Sequence, residues 1–289
     1  MLRRNLKIKW SVFARVDKIS EDLARLMKRA GCEWILFGVE SADEGILKTI
    51  RKGITLDEVR RGVKIAAEAG INVFNSFIFG LPGESWDTAL KSMAFGDELY
   101  HKYGAKYGFH ILSPLPGTEL YERAKDYGIR ILSRNWARYN ANEPITETAT
   151  MSRDMIKEAM AIYDRGIEDA WDDLKRRAKG GDAQCAEIIE GKEREEFVWT
   201  LLQGDVIEGL GGVVSATGLN PSSAEDELAR RVSRKLGLDI EVAQRRMGEL
   251  IAKGILRLET RGNGLRWQWS DTHKLKLASE ITPATSCQA

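Results

Sequence analysis

The chain has 289 residues, 43% of them hydrophobic and 30% charged, which is the balance of a globular protein with room for one large domain and a smaller one. Lysine and arginine number 44 against 43 aspartates and glutamates, so the net charge of +1 supplies no overall field toward nucleic acid or a membrane surface. No apolar run approaches the ~18 residues of a spanning helix, and the basic start MLRRNLKIKW lacks the apolar core of a signal peptide.

Residues 7–17, KIKWSVFARVD, read as a strand with Trp10, Val12, Ala14 and Val16 on one face. Ser20 caps a helix to about Arg29, with Leu23, Leu26 and Met27 at helical spacing and Gly31 as its stop. EWILFGVES is a near-continuous apolar strand of the kind parallel sheets bury. DEGILKTIRKG gives a helix stopped by Gly53. Thr55 opens the next, with Glu58 at the capping-box position and Gly70 at its end. NVFNSFIFGLPGES is a further buried strand that turns a glycine-proline-glycine corner, and Glu84 beyond it reads as a carboxylate capping the following helix, about Ser85 to Tyr103. The strand KYGFHILSPLPGT and a short helix, ELYERAKDYG, complete this part.

Strand and helix alternating every 30 to 40 residues is the pattern of parallel βα units. The strand ends GVES, GLPGES and SPLPGT all finish in glycine, proline and small polar residues. Each alone is an efficient turn; together they point to a shared binding face, since ligands sit at the carboxyl ends of parallel strands.

After about Asn135 the alternation stops. Residues 152–181 form a long amphipathic helix broken by Gly180 and Gly181, and the charge-rich EGKEREE looks like a boundary. Three helical stretches then precede ILRLETRGNGLRWQWS, a hairpin turning at Gly262, Asn263 and Gly264. This order suggests a winged-helix-like domain at 191–272, after an α/β part at 1–134 and an accessory helical region at 135–190. Residues 273–289 read as a flexible tail. A DNA-reading role would place Arg245 and Arg246 on the recognition helix. With seven basic and six acidic residues between 225 and 253 there is no basic stripe, so contact with protein, or lid duty, ranks ahead of nucleic acid. Trp267 and Trp269 read as core under the wing.

The segments GVES, KG, GLPGE and PLPGTELY, in that order across roughly 8–130, resemble the radical SAM superfamily, in the branch whose members often carry a cobalamin-binding domain. The resemblance implies a partial parallel (βα) half-barrel of TIM-like type that holds S-adenosylmethionine (SAM) against a [4Fe-4S] cluster for radical chemistry. It assigns Glu40 to the ribose hydroxyls, a carboxylate that otherwise reads as a helix N-terminal acid. Lys52 would meet the methionine carboxylate, or else be a plain solvated lysine. Ser76 would meet the ribose, Ile78 and the backbone from Gly80 to Pro82 the adenine, and Leu112 and Pro114 would complete the adenine wall.

The family's C-x3-C-x2-C cluster loop is absent. Cys32, Cys185 and Cys287 are widely spaced, as are the three histidines, so no compact metal site is encoded and the setting reads as the reducing cytoplasm. Measured against the family, the chain looks like the third strand onward. The resemblance therefore implies a fragment of a longer enzyme, one subunit of a split enzyme with a separate chain carrying the cluster loop and first strands, or a degenerate paralogue kept for binding. The cluster would be present only if completed from elsewhere, and cobalamin would belong to the parent enzyme. The alternative is a non-catalytic protein that uses the winged helix for protein or nucleic-acid contact. The substrate, small molecule or peptide, is not legible.

Overall fold

In the computed structural model, which describes residues 3, 6–204, 206–209, 213–214, 221–261 and 264–270, the alternation forms β1 (Trp10–Ala14), α1 (Glu21–Arg29), β2 (Cys32–Glu40), α2 (Glu44–Thr49), α3 (Leu56–Glu68), β3 (Asn72–Phe79), α4 (Trp86–Tyr103) and β4 (Lys106–Ile111). The four strands make one parallel sheet in the order β1-β2-β3-β4. Helix starts follow their local chemistry: Ser20, Asp43 and Thr55 each accept a backbone N–H in the first turn, and Thr55 and Glu58 form the full capping box. At α4 the cap is Ser85 with Thr88. Glu84 does not serve there, because its side chain turns back into the preceding loop.

Period-two alternation sorts each central strand into two faces. Ile35, Phe37, Val39, Val73, Phe77 and Phe79 point into the helical layer of α1, α3 and α4 and are fully buried or nearly so. Phe109 stacks on Phe79 at 4.2 Å and on Phe77 at 5.2 Å between ring centroids. Between α3 and α4 the Arg60 guanidinium forks onto Glu98 at 2.8 and 3.0 Å and lies 4.8 Å from the Phe95 ring centroid. Those bonds, with Lys102 beside them, hold the Glu98 carboxyl down at about 2.

Beyond β4 come α5 (Glu119–Glu122), the antiparallel pair β5 (Arg130–Ile131) and β6 (Thr146–Glu147), and α6 (Arg153–Lys179). Ile156, Ala159 and Tyr163 of α6 lie in the α/β core, and the Tyr163 hydroxyl donates to the Tyr107 carbonyl at 3.0 Å.

The chain divides into two compact units between Asp172 and Asp173, within α6. The second holds α7 (Ala183–Gln203), α8 (Val206–Gly209), β7 (Val213–Val214), α9 (Pro221–Leu236), α10 (Ile240–Ala252), β8 (Leu256–Arg261) and β9 (Gly264–Trp269), with sheet order β7-β9-β8. Phe197, Leu201, Val232, Met247, Trp267 and Trp269 build its core. The EGKEREE run is not a break: it lies inside α7, where Lys192 and Glu196 pair at i,i+4. Arg246 faces no solvent either. It is buried, bonded to Glu193 of α7 and to Glu249 at 3.2 Å. Gly262, Asn263, the tail 273–289 and Cys287 lie outside the described residues. Among those described, no helix is long and apolar enough to cross a membrane.

Candidate functional site

The face of the sheet opposite α1, α3 and α4 carries Ser76 and Ile78, and the loops at its carboxyl edge carry the other sequence-predicted residues. Glu40 ends β2 with φ at +72°, a conformation that costs a non-glycine residue ~1–3 kcal/mol and so marks a place where the surroundings hold the backbone. The β2–β3 register shifts between Gly38 and Glu40, which turns this carboxylate back over the strand. Lys52, in the loop after α2, donates to Glu40 Oε1 at 2.6 Å, and each side chain is about one-fifth exposed. The pair sits over Gly38. A Cβ there would lie 2.4 Å from Glu40 Oε1 and 3.0 Å from Lys52 Nζ, so glycine is what leaves room for the ions.

Arg15, which the sequence reading passed over, fixes this loop. Its guanidinium donates to the carbonyls of Lys52 at 3.0 Å and Gly53 at 3.4 Å, and is itself bonded to Asp17 at 2.9 Å. The arginine-aspartate spacing at the end of the first strand was the available signal.

Ser76 lies next to Gly38 in register, and Ile78 next to His110; both are half-buried, Ser76 between the buried Asn75 and Phe77 and Ile78 between the buried Phe77 and Phe79. Ile78 also packs on a small cluster of Ile46, Leu81, Leu112, Ala124 and Ile129. Leu112 is inside that cluster, with its N–H on the Phe79 carbonyl at 2.9 Å, and Pro114 is buried two residues on. Thus Glu40 and Lys52 touch directly, Ser76 adjoins Gly38 beneath them, and Ile78, Leu112 and Pro114 gather at the ends of β3 and β4.

The corner after β3 is built for its own closure. Gly80 has φ at +90°, and a Cβ on it would come 3.1 Å from Ile156 Cδ1. Its N–H donates to the Glu84 carboxylate, while Glu84 Oε1 is buried without a partner among the described residues. Burial pushes this carboxyl up to about 8, against the opposing pull of the Gly80 and Leu81 amides.

The described thiols, Cys32 and Cys185, do not fit a cluster. Cys32 is buried beside the Trp34 carbonyl at 3.5 Å, and burial raises its pKa. Cys185 is buried in the second unit, with its pKa raised by burial and Asp182. No group of three or more His, Cys, Asp or Glu among the described residues could hold a metal ion.

Residues 1–96 match the model of the Radical SAM superfamily. That stretch belongs to the superfamily. An uncharacterised methyltransferase of Pyrococcus horikoshii is 32% identical over 158 residues, 55% of this chain and 34% of the relative. A bacteriochlorophyllide d C-8(2)-methyltransferase of Chlorobaculum tepidum is 25% identical over 147 residues, 48% of this chain and 31% of the relative. The chain therefore spans about a third of the length of these relatives. Among solved structures, the cobalamin-dependent radical SAM enzyme OxsB aligns over 96% of this chain and 46% of its own at 17% identity, with a TM-score of 0.42. The matched stretch takes in the ends of β1, β2 and β3 and the Glu40–Lys52 pair.

Proposed function

We propose that the open face at the carboxyl ends of β1–β4 binds SAM, as the cofactor-holding part of a radical methyl-transferring enzyme whose cluster thiolates lie outside this sequence. The Glu40–Lys52 pair carries the reading. SAM offers a carboxylate to Lys52 and a ribose diol to Glu40, so ligand replaces an ion pair with a matched partner for each member. Without ligand the two neutralise one another, and neither half-buried charge is left alone. Ser76 would add a hydroxyl to the ribose, while Ile78, the Gly80–Pro82 backbone, Leu112 and Pro114 would line the adenine.

The methyltransferase names of the relatives support the reaction class, and cobalamin enters through the resemblance to the cobalamin-associated branch. The [4Fe-4S] cluster would be held by thiolates outside this sequence, on a missing part of the same enzyme or on a partner, since the described cysteines, Cys32 and Cys185, do not fit one. The helices and hairpin of the second unit would form a winged-helix-like module for protein contact or lid duty.

Titration calorimetry with SAM on the full chain tests the site. Glu40→Ala should weaken SAM binding about tenfold or more, the value of a charge-assisted hydrogen bond, and Cys32→Ala less than twofold. Equal and negligible effects of the two changes would count against the assignment.

A further inference from the structure

Between α4 and α6, on the helical side of the sheet, lies a cleft of about 370 Å³ that the proposed function leaves unused. All of it belongs to the first unit, and its volume is that of a small-molecule site. Tyr107 of β4 and Tyr163 of α6, 7 and 6% exposed, form its floor, with ring centroids 5.8 Å apart. Half-buried Met93 and Tyr100 line the α4 wall, half-buried Ile162 and Ile167 the α6 wall, and the exposed Asp97 stands at the rim.

Both floor hydroxyls are engaged. Tyr163 donates to the Tyr107 carbonyl at 3.0 Å, and Tyr107 donates to Asp97 Oδ1. The rings therefore meet the cleft as π faces and apolar edges, and Asp97 keeps its second oxygen for a further partner. Two glycines inside helices shape this arrangement, each less favourable there than alanine. On α4, a Cβ at Gly96 would lie 2.5 Å from Tyr107 Cδ2, so only glycine admits the ring. On α6, a Cβ at Gly166 would meet nothing within 4 Å; no neighbour demands that glycine, and its effect is to keep the cleft wide. The charge around the cleft is mostly negative. Residues 158–172 of α6 hold five acidic residues and one basic, Arg165, and Asp97 adds a carboxylate from α4.

We infer that this cleft binds a small organic cation, an alkylammonium with a tertiary or quaternary nitrogen, its charge beside Asp97 and its alkyl groups against Tyr100, Tyr107 and Tyr163. Aromatic faces attract a cation through their quadrupole, and the carboxylate adds charge complementarity. An anion would meet like charge. A neutral apolar guest would strip water from Asp97 and return no partner. A metal ion lacks ligands, since no group of three or more His, Cys, Asp or Glu among the described residues could hold one. The inference stands apart from the proposed SAM site, with which the cleft shares no residue.

The probe is choline, titrated into the full chain and followed by NMR, with its uncharged isostere 3,3-dimethylbutanol as the comparison. Choline should shift the Met93 methyl and the Gly166 amide saturably at millimolar concentration, and the isostere should bind about fivefold more weakly or worse. Asp97→Asn, which keeps an acceptor for the Tyr107 hydroxyl, and Tyr100→Leu should each weaken choline binding about threefold or more. Gly166→Leu should abolish it by filling the cleft. Asp154→Asn, exposed in the first turn of the same helix, should stay within about twofold of the unsubstituted chain. The choline–isostere comparison needs no substitution, so it holds even where a variant folds poorly. No saturable shift at Met93 and Gly166, equal binding of the isostere, or full binding in both Asp97→Asn and Gly166→Leu would each overturn the assignment.

Discussion

Glu84→Gln should abolish most of the pH dependence of stability of the α/β unit between about pH 4.5 and 8. The carboxyl is fully buried with its folded pKa raised to about 8 from an ordinary 4.5. In that window the folded chain keeps a proton that the unfolded chain releases, so stability is fully present below about 4.5 and declines as pH rises toward 8. A difference of this size corresponds to an order of about 4–5 kcal/mol. Glutamine keeps an acceptor for the Gly80 N–H and cannot ionise. Urea unfolding across this range should show a falling wild-type profile and a flatter variant profile, with the variant gaining relative stability as pH rises. Parallel profiles would mean that Glu84 titrates normally and the corner is open to water.

Gly62→Ala should destabilise the same unit by about 1–3 kcal/mol, the usual range for forcing atoms into a packed contact. A methyl at this position of α3 would sit 2.5 Å from Val16 Cγ2 and 2.6 Å from the Val16 carbonyl oxygen, and the carbonyl belongs to backbone that cannot rotate away. Gly166→Ala is the internal contrast. Gly166 lies in α6 with nothing within 4 Å of its would-be Cβ, so the change should stabilise by about 0.5–1 kcal/mol through helix propensity alone. Chemical denaturation of the two variants should move in opposite directions; a harmless Gly62→Ala would show that α3 does not pack as closely on the turn after β1.

What was legible in the sequence was local. Ser20 and Thr55 announce their helices through bonds to residues three positions away, and the alternation in NVFNSFIF separates its two faces without knowledge of what they meet. What was not legible depends on distant partners. Arg246 looks like a surface cation until Glu193, 53 positions earlier, is brought against it. The charge run in α7 resembles a linker by composition, yet lysine, glutamate and arginine are good helix formers and pair one turn apart. Glu84 precedes a helix and so reads as its cap. Only the left-handed Gly80 and Gly83 reveal that the chain turns sharply enough for the acid to meet its own strand end. Glu40 and Lys52, twelve residues apart, were joined through the family resemblance and not through any local rule.

On the proposed reading, Glu40, Lys52 and their neighbours would meet SAM, while the thiolates of a cluster lie outside this sequence. Anaerobic reconstitution of the full chain with iron and sulfide tests it most directly, read by visible absorbance, bound iron and the response to added SAM. A site-differentiated [4Fe-4S] cluster needs three converging thiolates, and the described cysteines, Cys32 and Cys185, sit in different units without other ligands grouped around them. Substoichiometric iron and no spectral response to SAM are expected from the chain alone. One cluster per chain, with a spectrum that shifts when SAM is added, would contradict it.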